Sequence, residues 1–247
     1  MSGHSKWSTI KRKKGVADAK RGAVFTRISK DITFAAREKG EDPDMNPALR
    51  LAIKNAKIAN MPATNIERAI NKGTGNLPGI KFENYIYEGY GPGGTAIMME
   101  VMTDNKNRTV PDIRHIMSKN GGNLGEQGCV NWMFEKKGTI TLSKNGIDEN
   151  EILEISLDIG ADDFQTEDDT FVITTTPEDF GVASKELEDK GYEINGEVGL
   201  IPINMVKING IDAKQLLSLL EKLEEHEDIQ KVYSNFDLDE SEIESLL

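Results

Sequence analysis

The chain has 247 residues, 37% of them hydrophobic, and its 30 basic and 42 acidic residues give a net charge of −12 at pH 7. This size and composition are typical of a globular protein with two or three folded units. No segment approaches the roughly 20 apolar residues that cross a bilayer, which excludes a helical membrane protein. The single cysteine, Cys129, excludes an intrachain disulfide and a multi-cysteine zinc site. The first residues lack the apolar core of a secretory signal, so a cytoplasmic location is expected.

The charges are divided unevenly along the chain. Residues 1–72 hold 16 basic and 7 acidic residues, a net charge of +9, whereas residues 73–247 hold 14 basic and 35 acidic residues, a net charge of −21. Clustered Lys and Arg bind the phosphates of nucleic acid through counterion release. A helical surface that is only solvated is the alternative. The division favours a basic arm that binds a polyanion, and nucleic acid is the leading candidate.

The N-terminal part predicts three helices. Apolar residues spaced three and four apart predict an amphipathic helix over 17–39, with basic residues on its opposite face. A second helix is predicted over about 47–60, and a third from a capping box at Thr64–Glu67 to Gly73. A linker follows at 72–79. The residues predicted to contact phosphate are Lys6, Lys11, Arg12, Lys13, Lys14, Lys20, Arg21, Arg27 and Lys30.

The pattern changes after the linker. Two strands flank the glycine-rich GYGPGG turn, a helix is predicted over RTVPDIRHIMSKNGG, and a strand is predicted around VNWMF. Residues 138–199 then alternate strand, helix, strand, helix and strand, with the first helix opened by Asp148, and a last β-α-β unit follows. This order predicts α+β units rather than a doubly wound sheet. Residues 137–203 hold 4 basic and 17 acidic residues and would repel a nucleic-acid backbone, so any binding is directional.

The motifs that could carry chemistry are better explained by local structure. GYGPGG leads into a strand and no Gly-Lys-Ser/Thr follows it, so a hairpin turn is favoured over a phosphate loop. DNKNRT lacks the glycine and late glutamate of a calcium loop and is predicted to cap the next helix, although Arg108 and Arg114 are candidates for polyanion contact. Cys129 has no recognisable His partner, and no serine lies in a nucleophile motif. We therefore predict no enzyme, no cofactor and no metal.

Four long segments carry a family resemblance. GHSKWSTIKRKKGVADAKRGAVFTRISKDI, NPALRLAIKNAKIANMPATNIERAINKG, YEGYGPGGTAIMMEVMTDNKNRTVPDIRH and KNGGNLGEQGCVNWMFEKKG resemble the YebC/PmpR family, and the likeness runs essentially end to end. It implies an α+β multidomain fold in which an N-terminal three-helix bundle precedes two α+β domains, the last ferredoxin-like and inserted in the second. The implied domains are 1–79 with the linker, 80–136 together with 204–247, and the acidic insert 137–203.

The resemblance also implies a function. The family is described as transcriptional regulators that bind promoter DNA; its mitochondrial relatives are translational activators, and some members are linked to ribosomes and to relief of stalling. We therefore expect a non-enzymatic regulator of gene expression whose partner is promoter DNA, preferred about a thousandfold over other sequences. The alternative is a ribosome-associated translation factor that binds ribosomal RNA, which the lack of a recognisable base-reading helix favours. An acidic scaffold that binds no nucleic acid is the third hypothesis.

Overall fold

The computed structural model describes residues 21–76, 82–167 and 169–239. The described residues form seven α-helices. The first three precede every described strand, and the other four lie between strands. The helices are α1 (Arg21–Lys39), α2 (Pro47–Ile58), α3 (Ala63–Thr74), α4 (Lys106–Lys119), α5 (Glu149–Asp158), α6 (Phe180–Asp189) and α7 (Gly210–Glu225). The strands are β1 (Glu83–Tyr90), β2 (Ala96–Thr103), β3 (Asn123–Leu124), β4 (Phe134–Ser143), β5 (Asp163–Thr166), β6 (Thr170–Thr175), β7 (Ile194–Pro202), β8 (Val206–Lys207), β9 (Ile229–Ser234) and β10 (Phe236–Asp237).

The buried Asn46 joins the first two helices of the bundle. Its side-chain oxygen accepts from the backbone N–H of Leu49 at 3.0 Å and so caps α2, while its amide donates to the carbonyls of Ala35 at 2.8 Å and Gly40 at 2.9 Å. Pro47 occupies the first helical position, where its missing N–H leaves no bond unmade. The hydrogen bonds of Asn46 therefore fix the conformation of the turn between α1 and α2.

The third helix differs from the prediction at both ends. Its N-cap is Pro62, which makes no side-chain bond, so the predicted capping box at Thr64 is wrong. The helix passes through Gly73 and ends at Gly75, which has φ of +74°. Gly73 lies against α1, and a Cβ added there would come within 2.4 Å of the Thr33 carbonyl oxygen. This glycine therefore permits close helix packing instead of ending the helix.

The second unit along the chain, after the helical bundle, is an antiparallel sheet in the order β3-β1-β2-β9. One face of this sheet is covered by α4 and α7. The GYGPGG segment forms the predicted turn between β1 and β2, which pair over their full eight residues. The other face of this sheet presents Met98 and Tyr233 to a smaller core with Val130 and Phe134. The short strands β8 and β10 pair in parallel beside it.

The third unit has the chain order β4-α5-β5-β6-α6-β7 and the sheet order β5-β6-β4-β7, with every described pair antiparallel. This is the ferredoxin-like arrangement, and it confirms the predicted α+β fold class. Asp148 caps α5 as predicted, by accepting from the Asn150 N–H at 2.9 Å. The strand predicted around VNWMF is wrong: Asn131–Met133 form a 3-10 turn, and a continuous β4 begins at Phe134. No described helix is long and apolar enough to cross a membrane.

Candidate nucleic-acid interface

Most of the predicted phosphate-binding residues lie outside the described part of the chain. Lys6, Lys11, Arg12, Lys13, Lys14 and Lys20 precede Arg21, where the description of α1 starts. Arg21 and Arg27 belong to α1, but their side chains are outside the described set. Lys30 is the member of the predicted set whose side chain lies in the described part of the chain.

Lys30 connects the bundle to the second domain. Its ammonium donates a hydrogen bond to the backbone carbonyl of Glu224, in the last turn of α7. Carbonyls at the C-terminal end of a helix carry partial negative charge and lack intrahelical donors, so a lysine is favoured there. A phosphate contact by Lys30 stays a prediction, and it would compete with this hydrogen bond.

A second contact between the same domains lies about two turns further along α1, at Arg37. The Arg37 guanidinium donates to the Asn84 side-chain oxygen at 2.9 Å and lies 5.0 Å from the centre of the Phe34 ring. The ammonium of Lys231, on β9, lies 4.7 Å from the centre of the same ring. Two cations thus share one aromatic ring at the domain junction. This part of the predicted basic face of α1 contacts protein.

A buried carboxylate forms the third junction contact. Asp228 is 2% exposed, and one of its oxygens accepts from the Thr109 hydroxyl at 2.7 Å and from Arg108 at 3.0 Å. The Thr103 hydroxyl donates to the same oxygen at 3.2 Å and lies 2.8 Å from the Thr109 hydroxyl. Lys72, on α3 of the bundle, lies 3.8 Å from the other carboxylate oxygen. The network joins the end of β2, the start of α4, the turn before β9 and the bundle.

The partners of Asp228 differ in how strongly they affect its pKa: the hydrogen bonds from Thr109 and Arg108 have larger effects than the charge of Lys72. Burial opposes its ionisation, but the hydrogen bonds from Thr109 and Arg108 and the nearby cations outweigh burial and lower the pKa of Asp228. Burial lowers the pKa of Lys72, and the attraction of Asp228 does not fully offset it. The two directions differ because Thr109 and Arg108 are in hydrogen-bond contact with Asp228 whereas Lys72 is not. Arg108 is thus engaged in a structural network, while Arg114 is exposed.

Exposed cations occur on all three described helices of the bundle: Lys39 on α1, Arg68 on α3 and three on α2. Arg50, Lys54 and Lys57 are exposed, whereas Leu49 and Ala56 are buried against the other helices. Sequence periodicity predicts that α2 buries Leu49, Ile53 and Ala56 and exposes Lys54 and Lys57; this is confirmed except at Ile53, which is half-buried. The three cations of α2 are available to an anionic partner.

A glycine-rich loop before β4 is organised by a second buried carboxylate. Glu88 is 4% exposed and accepts from the backbone N–H groups of Gly128 at 2.7 Å, Val130 at 2.8 Å and Asn131 at 2.8 Å. Burial, followed by the charge of Glu88, raises the pKa of the Cys129 thiol, which keeps that thiol protonated at neutral pH. The three hydrogen bonds to Glu88 hold the loop in one conformation.

Two exposed aromatic side chains meet at this loop. The Tyr90 hydroxyl donates to the Cys129 carbonyl at 3.0 Å, and the Trp132 indole N–H donates to the same carbonyl at 3.2 Å. Sequence reasoning did not identify this pair, because Trp132 was placed in a predicted strand and Tyr90 in a turn. Among the described residues, no group of three His, Cys, Asp or Glu side chains converges as a metal site.

Comparison with known proteins identifies the family. A model described as "TACO1/YebC protein N-terminal domain" matches residues 5–76, and one described as "TACO1/YebC second and third domain" matches residues 82–236. The chain belongs to the TACO1/YebC family. The second match spans both four-stranded sheets, and the first spans the described bundle.

Relatives of this TACO1/YebC chain are similar to it in sequence over its full length. It is 51% identical over 248 residues to a protein of Dictyoglomus turgidum and 52% identical over 248 residues to one of Citrifermentans bemidjiense, with 100% of each chain covered. Both are named "Probable transcriptional regulatory protein". The fold is similar to the crystal structure of a conserved hypothetical protein from Aquifex aeolicus, with a TM-score of 0.74 and 44% identity over 90% of this chain and 93% of that one.

Proposed function

We propose that this TACO1/YebC protein is a non-enzymatic, cytoplasmic regulator of gene expression that binds DNA and controls transcription. The observation that carries the proposal is the division of charge, +9 over residues 1–72 against −21 over residues 73–247. A polyanion is attracted to the first part and repelled by the second, so the protein binds in one orientation. The names of its relatives support a regulatory role.

The proposed binding surface combines the predicted basic residues with the described face of α2. Arg50, Lys54 and Lys57 are exposed on a helix whose other side is held by the bundle core, so they can contact phosphate without unfolding the domain. The proposed domains are 1–79, 80–136 together with 204–247, and 137–203. The binding surface belongs to the first of these, and the buried residues of each domain form a separate hydrophobic cluster.

The experiment is a titration of labelled duplex DNA with the full chain at several salt concentrations. Replacing Lys11, Arg12, Lys13 and Lys14 with Ala removes up to four phosphate contacts and is expected to reduce the slope of log affinity against log salt by up to about 3.6. The control replaces two exposed lysines, Lys185 on α6 and Lys190 directly after it, and should leave the slope unchanged. A wild-type slope in the quadruple variant would reject the site assignment.

A translation factor that binds ribosomal RNA is the second candidate. The exposed pair Tyr90 and Trp132 favours it, since unpaired bases of RNA commonly stack on aromatic side chains. Co-sedimentation with ribosomes from a DNase-treated lysate separates the candidates. Association at physiological salt that the quadruple variant loses would support translation, whereas a preferred promoter fragment, bound about a thousandfold above a scrambled one, would support transcription.

A further inference from the structure

The side of the bundle that contacts the second domain, here called the junction face, is basic. It carries Lys30 and Arg37 on α1 and Lys72 on α3, and each of these cations contacts a group of the second domain. Lys30 and Arg37 lie seven residues apart, so about two helical turns separate them on one side of α1. The Phe34 ring lies beside the Arg37 guanidinium. Three cations and an aromatic ring thus form a surface that the second domain covers.

The acceptors that the second domain supplies to α1 are weaker than phosphate. Arg37 donates to the neutral side-chain oxygen of Asn84 at 2.9 Å, and Lys30 donates to a backbone carbonyl in the last turn of α7. A phosphate carries a full negative charge and is often bound by Arg through two parallel hydrogen bonds. Its binding also releases counterions from DNA. Exchange of these two acceptors for phosphate is therefore favourable.

Lys72 is incompletely compensated in the closed arrangement of the two domains. Its ammonium is attracted by three carboxylates of the second domain, those of Asp228, Glu227 and Asp104. Burial nevertheless outweighs this attraction and lowers the pKa of Lys72, and the charge of Arg108 acts in the same direction. The second domain thus presents negative charge to this lysine, as a nucleic acid does, while withdrawing it from water.

The junction can open without loss of either hydrophobic core. Among the described residues, the buried cluster of the bundle contains only bundle residues, and that of the second domain contains only its own. The contacts between the two are hydrogen bonds, an ion pair and cations beside the rings of Phe34 and Phe82. Polar interfaces between domains of one chain commonly permit relative motion. Separation therefore breaks polar contacts and leaves both folds intact.

We propose that the junction face is a second DNA-binding surface and that the second domain blocks it in the closed arrangement. When duplex DNA binds, its phosphates take the place of the acceptors of the second domain, and the two domains separate. The closed arrangement is self-inhibited, because only the open fraction of the molecules presents the whole basic surface. The inference rests on the proposed DNA-binding function and adds the regulation of that function.

Substitutions of Asn84 test the inference without changing a cation. Asn84 is exposed near the start of β1 and supplies the acceptor for Arg37. Asn84→Ala removes this acceptor and loosens the junction, so the full chain should bind a labelled duplex DNA about 1.5- to 5-fold more tightly. Asn84→Asp places a full negative charge beside Arg37, tightens the junction and should weaken binding by a similar factor.

Asn123 provides the matched control for both substitutions. It is also exposed, and it pairs with Tyr90 at the other end of β1, six residues or about 20 Å along the strand from Asn84. Asn123→Ala should leave the affinity unchanged. Asn123→Asp adds the same negative charge to the same domain away from the junction. The effect of Asn84→Asp beyond that of Asn123→Asp therefore measures the junction.

Opening of the junction can be observed at Phe34. The two native tryptophans, Trp7 and Trp132, are replaced with Phe, and Phe34→Trp then places a single fluorescent ring on the junction face. In the closed arrangement this ring position lies beside the cations of Arg37 and Lys231. Addition of duplex DNA should shift the emission, because water or nucleic acid replaces the second domain beside the ring. An unchanged helical circular dichroism spectrum checks the folding of this variant.

The outcomes separate this inference from the proposed function. If both Asn84 variants bind duplex DNA as their Asn123 controls do, and the emission stays constant during binding, the covered surface is overturned and DNA binding stands. Failure of the wild type and of every variant to bind duplex DNA overturns both. Tighter binding by Asn84→Ala, weaker binding by Asn84→Asp and a shift in emission on binding support the inference.

Discussion

Replacing Asp228 tests whether a buried carboxylate holds the second domain and the bundle together. In Asp228→Ala, the Thr109 hydroxyl and the Arg108 guanidinium lose their shared acceptor, and Lys72 loses its nearest described opposite charge. In Asp228→Asn, the amide oxygen can still accept from Thr109 and Arg108, but the negative charge is lost. The two variants therefore separate the geometry of the network from its charge.

The expected magnitudes follow from burial. Breaking a buried ion pair by removing one partner costs about 3–5 kcal/mol, and we expect the lower end, about 3 kcal/mol, for Asp228→Ala. The Arg108 side chain is 44% exposed, so water can replace part of its lost bond. Asp228→Asn should cost about 1–2 kcal/mol, because charge-assisted hydrogen bonds become neutral ones.

The pH dependence provides the decisive assay. The folded-state pKa of Asp228 lies below its ordinary value of 3.8, so its ionised form contributes stability that is fully present above that value. This contribution disappears as the pH falls through the lowered pKa. Urea midpoints at pH 7, 5 and 3 should show a constant difference between wild type and Asp228→Asn at the two higher values and a smaller one at pH 3. A difference that is equal at all three would refute the charge argument.

Three further changes test other parts of the structure. Asn46→Ala removes the cap of α2 and two amide donors, and it should destabilise the bundle by about 2 kcal/mol, measured by loss of helical circular dichroism on heating. Gly73→Ala places a Cβ 2.4 Å from the Thr33 carbonyl and should lower the same melting temperature, whereas an unchanged value would mean that the helices separate at no cost. Glu151 accepts a hydrogen bond from Tyr192 and raises the pKa of that phenol to about 12, so Glu151→Gln should bring one tyrosine back towards 10 in an ultraviolet titration. Because this pKa is raised on folding, the stabilisation is present below pH 10 and is lost as pH rises through about 12.

The elements that periodicity predicted are those with one clear buried face. The helices of the bundle follow from apolar spacing, and the end of α3 was misplaced because Gly73 serves close packing with α1 while Gly75 ends the helix. The strand β5, with the sequence DFQT, was not predicted because just one of its four residues is apolar. The order β5-β6-β4-β7 came from the family resemblance, since alternation of strands and helices does not determine strand order.

The residues of the site were harder to predict than the fold. Asp228 lies 120 residues from Arg108, and in a chain with 42 acidic residues no local pattern distinguishes it. Glu88 lies on a strand, and its acceptor role depends on a loop 40 residues later. The apolar run VNWMF indicated a strand, but the hydrogen bonds of Glu88 hold its first part as a turn that leaves Trp132 exposed. These features depend on long-range contacts.

The basic side chains of the bundle divide into two groups with different roles. Lys30, Arg37 and Lys72 face the second domain, through a helix-end carbonyl, a shared ring and a buried carboxylate. The exposed group consists of Lys39, Arg50, Lys54, Lys57 and Arg68. Salt weakens contacts of both kinds, so a loss of nucleic-acid affinity at high salt combines weaker phosphate binding with a looser junction. Crosslinking the bundle to the second domain keeps the junction closed and isolates the effect of salt on phosphate binding. If the salt slope of the crosslinked protein equals that of the free chain, the junction stays closed during binding. A smaller slope means that domain separation is part of the response.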